Sequence, residues 1–134
     1  MLIDGGDFVC FGYPAEGGLD NRPTGRTIRG YCQRWFSYLD SAGRRYFALE
    51  MSCPAPAGLS GSVVAYAQRP DVAVGVVTAN HDSYVLLDRV EEVQRDGSVY
   101  RDSTSRVISY GIAASLSNTE NWLDEHLSSL SATD

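Results

Sequence analysis

With 134 residues, 43% of them hydrophobic, and neither a long apolar run nor a low-complexity tract, the chain is sized for one compact domain with its own core. A net charge of −6 argues against a nucleic-acid backbone as partner, and no segment approaches the length of a membrane-spanning helix. Thirteen glycines and many short β-rich runs favour an all-β barrel or sandwich over a helical bundle.

In chain order, "MLIDGGDF" holds acidic residues and no basic stretch followed by an apolar one, so it does not read as a secretory signal. If Met1 is the true start, a cytoplasmic protein is expected; if it is a cut point, the compartment stays open. Strands are predicted near 7–12, 26–34, 44–51, 62–67, 72–79, 92–95, 98–102 and 106–112, six forming the barrel and the others decorating it as a hairpin. Pro14 to Gly25, rich in Gly, Pro and Asp, reads as a mobile loop between the first two strands. Asp96-Gly97 signals a turn. Near the C-terminus, Ser117-Asn118-Thr119-Glu120 forms a capping box, and Trp122, Leu123, Leu127 and Leu130 make one apolar stripe, which predicts a helix at about 118–130.

Cys10, Cys32 and Cys53 leave at least one thiol unpaired and lack metal-ligand spacing, so neither a metal nor another cofactor is implied. Whether two of them form a disulfide is left open. Asp82, Asp88, Glu91 and Glu92 read as a solvated acidic face, and Tyr31, Trp35, Phe36, Tyr38, Tyr46 and Phe47 as packing for the barrel end and a hairpin.

The most informative segment runs from Cys53 to Asn80. In "AGLSG" the flanking Gly58 and Gly61 free the backbone to turn successive N–H groups into one small concavity suited to an oxyanion, with Ser60 at its centre. Val63 to Ala67 and Val72 to Val77 follow as two buried strands joined by "QRPD". An α/β-hydrolase elbow would need Gly at position 62, which is Ser.

Gly58-Leu59-Ser60-Gly61-Ser62-Val63 resembles the nucleophile loop of the trypsin-like (chymotrypsin-fold) serine peptidases, Gly-x-Ser-Gly-[Gly/Ser]-Pro. "VGVVTAN", Val74 to Asn80, resembles that family's groove-lining strand. "FVCFGYP", Phe8 to Pro14, resembles the first strand of the second barrel in many bacterial members, and Val107 to Leu127 the last strand and closing helix. The resemblance implies that residues 1–134 are a single domain, a six-stranded antiparallel Greek-key barrel with a C-terminal helix, forming the second half of such a peptidase. Ser60 would be the nucleophile, the Gly58 and Ser60 N–H groups the oxyanion donors, and Thr78, Ala79 and Asn80 the substrate-binding segment, with Thr78 close to the triad's Asp. Leu59 replaces the Asp used for zymogen activation elsewhere in the family, and Val63 replaces Pro. Pro54 would lie near the base of an uncharged specificity pocket.

The base His and its Asp belong to the family's first barrel, which would precede Met1. His81 and His126 both follow Ser60; His81 reads as a solvated strand-end residue and His126 as structural. The expected function is therefore the C-terminal half of a serine endopeptidase, inactive alone. The competing expectation is a non-catalytic single-barrel module that binds peptides or proteins (a pseudoprotease). Either way the partners are a polypeptide substrate or peptide ligand, and the missing first barrel or a second copy of the chain covering the exposed inter-barrel face.

Overall fold

The computed structural model describes residues 2–15, 24–120 and 124. Six strands dominate the described residues: β1 (Asp7–Gly12), β2 (Arg26–Leu39), β3 (Arg45–Met51), β4 (Val63–Tyr66), β5 (Ala73–Val93) and β6 (Val99–Ser115). All neighbours are antiparallel, and the order β1-β2-β3-β6-β5-β4 closes on itself through the β1–β4 pair, giving one all-β ring.

The alternation along β1 shows how the ring forms. Phe8, Cys10 and Gly12 face inward and are buried, joined by Leu49 and Met51 from β3, Val64 from β4, Val77 from β5 and Ala113 from β6. Inward residues at every second position are what a strand with one face on a core requires. Cys32 lies in the same core, and β2 carries a register shift between Cys32 and Arg34. Beyond it, Arg34 makes a bidentate pair with buried Glu50, at 3.1 and 2.8 Å, and its guanidinium lies 4.5 Å from the Phe36 ring centre. That pairing satisfies a carboxylate only 6% exposed. The Trp35 indole N–H donates to the Leu2 carbonyl and ties the N-terminus to the ring.

One expectation is corrected, and a second falls mostly outside the described residues. The short strands expected at 92–95 and 98–102 are not separate decoration: they are the far ends of β5 and β6, which run 21 and 17 residues and pair from Gly75↔Ser115 to Val93↔Val99. The Asp96-Gly97 turn closes this hairpin, with Gly97 at φ +85 and the Asp96 carboxylate accepting from the Ser98 N–H at 2.9 Å. The expected C-terminal helix is not among the described elements. Residues 121–123 and 125–134, most of its length, lie outside the described residues, and a 3-10 turn occupies Leu116–Asn118. Ser115, not Ser117, caps that turn, and the Asn118 side chain bonds the backbone N–H and carbonyl of Phe47. The Ser117 hydroxyl, the expected cap, is instead hydrogen-bonded with the Ser115 hydroxyl at 2.7 Å. Much of the predicted loop, residues 16–23, is likewise outside the described residues.

Candidate functional site: the Ser60 turn and its groove

Ser60 sits in the connection between β3 and β4, and the turn around it is held from both ends. Leu59 is wholly buried in the ring's core, which anchors the turn and leaves Ser60 exposed at its crest. The Leu59 N–H donates to the Pro56 carbonyl, the Ser62 N–H to the Leu59 carbonyl, and the Gly61 N–H to the Val77 carbonyl at 2.8 Å. The Gly58 and Ser60 N–H groups, by contrast, donate to nothing among the described residues. An N–H group left without a partner can stabilise negative charge on an oxygen that reaches it.

Glycine is required at both flanks. Gly58 has φ +87, and a Cβ there would lie 2.6 Å from the Ala15 nitrogen and 2.8 Å from the Tyr13 carbonyl; Gly61 has φ +91 with open space around it. The approach at Gly58 arises because the Ala15 N–H donates to the Ala57 carbonyl. Gly12 serves the same contact: a Cβ there would meet Ser62 Oγ and Leu59 Cδ1. Thus "FGYP" and "GLSG", more than forty residues apart in sequence, are packed against each other.

A groove of about 690 Å³ opens beside Ser60, lined by Gly58, Gly61 and Ser62 together with Val9, Phe11, Tyr13, Thr27 and Val63. Phe11, Tyr13 and Val63 are exposed, and the two rings meet edge to face at 5.5 Å. Sequence alone places Phe11, Tyr13 and Val63 in or beside strands, Val63 in one expected to be buried, and gives none of them a part in a site; Val63 is instead 49% exposed. The signal was present: β1 is apolar on its outward positions Val9 and Phe11 as well as on its inward ones, the pattern of a strand covered on both faces.

Thr78, Ala79 and Asn80 do not line that groove. They border a second one, of about 590 Å³, with Tyr38, Asp40, Arg44 and Tyr46 from the tip of the β2–β3 hairpin. Thr78 is the extra residue at a register shift in β5; its hydroxyl lies 3.0 Å from the Tyr46 hydroxyl and donates to the Ile112 carbonyl. Asn80 acts as a brace, its amide oxygen accepting from the Ala55 N–H and its amide nitrogen donating to the Ala55 carbonyl. This two-point bond ties the segment leading to Ser60 onto β5. Pro54 is exposed beside it.

No histidine touches Ser60 among the described residues. His81 is exposed on β5 as the cross-strand partner of Tyr110, four residues and roughly 13 Å of strand beyond Val77. His126 lies outside the described residues. Asp88, Glu91 and Glu92 are exposed, Glu91 paired with Arg89 and Arg101; Asp82, also exposed, accepts from the Ser109 hydroxyl.

All three cysteines are free thiols. Burial pushes Cys10 up to about 11, reinforced by the neighbouring Cys53, and pushes Cys32 up to about 12, reinforced by Asp4 and Glu50. Cys53 is also raised by burial. These thiols are held protonated and are not nucleophiles.

No family model matches the chain, and no curated protein and no solved structure matches it.

Proposed function

We propose that this chain is the nucleophile-bearing barrel of a trypsin-like serine endopeptidase, with the closed ring read as a Greek-key barrel. The observation that carries the reading is the Ser60 turn: two glycines at positive φ, an exposed serine, and Gly58 and Ser60 N–H groups without a partner among the described residues, while those of Leu59, Gly61 and Ser62 are bonded. The Phe11, Tyr13 and Val63 face beside Ser60 supports it, because it is an apolar surface on which a first barrel could dock. A His carried by that barrel removes the Ser60 hydroxyl proton as the oxygen attacks a scissile carbonyl. The oxyanion is held by the two free N–H groups, and the protonated His returns its proton to the leaving amine.

Hydrolysis of a chromogenic peptide by the product of the whole reading frame tests this reading. Ser60→Ala should lower kcat by roughly 10⁴-fold or more. Activity unaffected by that change would refute it.

One observation favours a second reading, a non-catalytic peptide-binding module. The groove at Tyr38, Tyr46 and Thr78 to Asn80 has two phenol rings and is separate from Ser60. On that reading an extended peptide binds there, Tyr38→Ala weakens binding, and Ser60→Ala leaves it unchanged.

A further inference from the structure

Beyond the ring, β5 and β6 continue as a two-stranded arm, from Asp82↔Ser109 out to Val93↔Val99, in which almost every residue is exposed. A lone two-stranded ribbon is marginal in water, and its outer edges are templates for further pairing. The two edges differ. Both register shifts of the hairpin fall on β5, the outer one at Leu87, so the β5 edge is interrupted there; β6 runs without a shift from Val99 to Ser115. The Gly111 N–H points away from β5, to the Cys53 carbonyl, so every second residue outward from it turns its backbone groups to the free edge. Those residues are Ser109, Val107, Ser105, Ser103, Arg101 and Val99.

We infer that a second copy of this chain pairs with that edge, antiparallel, about a two-fold axis at Ser103. "VYRDSTSRV", Val99 to Val107, is self-complementary in this register. Val99 falls opposite Val107 of the second copy, Tyr100 opposite Arg106, Arg101 opposite Ser105, Asp102 opposite Thr104, and Ser103 opposite Ser103. No like charges stand directly opposite, a ring faces each Arg106, and the edge-facing residues all meet edge-facing residues. The existing hairpin pairs extend the match: Val93 lies beside Val99 and Tyr84 beside Val107. Val93, Val99, Val107 and Tyr84, which are 74, 49, 51 and 69% exposed in one chain, become two continuous four-residue apolar rows across a four-stranded sheet. This pairing does not depend on Ser60 being a nucleophile.

The test is the mass in solution of the full chain and two variants. Ser103→Pro removes an N–H directed away from β5, so the hairpin is kept. The intact chain should weigh two chains, and the proline variant should dimerise roughly 30-fold more weakly, the equivalent of two lost hydrogen bonds. Ser103→Cys places two thiols across the axis with Cα atoms about 5.5 Å apart, and should yield a disulfide-linked dimer on mild oxidation that the unaltered chain does not form. A single-chain mass for the intact protein, a dimer untouched by Ser103→Pro, or no cross-link in Ser103→Cys would each overturn it. A dimer seated on the Phe11 and Val63 face would show itself by surviving the proline.

Discussion

Each residue of the Ser60 turn does something physically different, and substitution separates the contributions. Gly58→Ala forces a Cβ into the Tyr13–Ala15 backbone at positive φ, and in urea denaturation should cost about 1–3 kcal/mol more than Gly61→Ala. Gly61→Ala meets open space and should cost only the roughly 1–2 kcal/mol of the left-handed conformation. Equal losses at the two positions would mean that the close approach at Gly58 is not made. Leu59→Ala should cost about 2–5 kcal/mol, since the side chain is wholly buried. The thiols add a pH dependence. Cys10 and Cys32 ionise in the unfolded chain near 9 but in the folded chain near about 11 and about 12, so above pH 9 the unfolded state binds fewer protons. Stability should therefore be intact below pH 9 and fall between about 9 and 12, and a cysteine-to-serine pair at positions 10 and 32 should flatten that fall.

Among the elements, those with one face on the core were the legible ones. β1 shows inward residues at every second position, and the "QRPD" and Asp96-Gly97 turns announce themselves by residue type. The arm was not legible because a strand with both faces in water has no buried face to impose a period of two: Asp88 to Gln94 mixes charge and valine without alternation, so β5 and β6 read as fragments. The turn at Leu116–Asn118 was misread because Asn118 is bound to Phe47, a contact no local pattern records. Since the arm adds little to the core, replacing residues 84–107 with an Asn-Gly turn should leave the melting temperature within about 3 °C, measured at a concentration where the chain is monomeric. A drop of tens of degrees would mean that the arm is part of the ring's stability.

For the whole molecule, ring closure brings together what the sequence holds apart. The serine turn and its glycines were visible as a motif, whereas the pairing of the turn with Tyr13–Ala15, the unbonded state of two N–H groups and the apolar wall of Phe11, Tyr13 and Val63 depend on how β1 and β4 meet. Thr78 to Asn80 were found as a segment, but their groove faces the tyrosines rather than Ser60, and Asn80 braces the loop through Ala55. The central claim is that Ser60 is a nucleophile completed by a base from another barrel. Its most direct test is labelling by a fluorophosphonate probe, which reacts with activated serines. The chain alone should stay unlabelled, and the product of the whole reading frame should be labelled at Ser60, with the label lost in Ser60→Ala and unchanged in His81→Ala; absence of label from that full product would contradict the account.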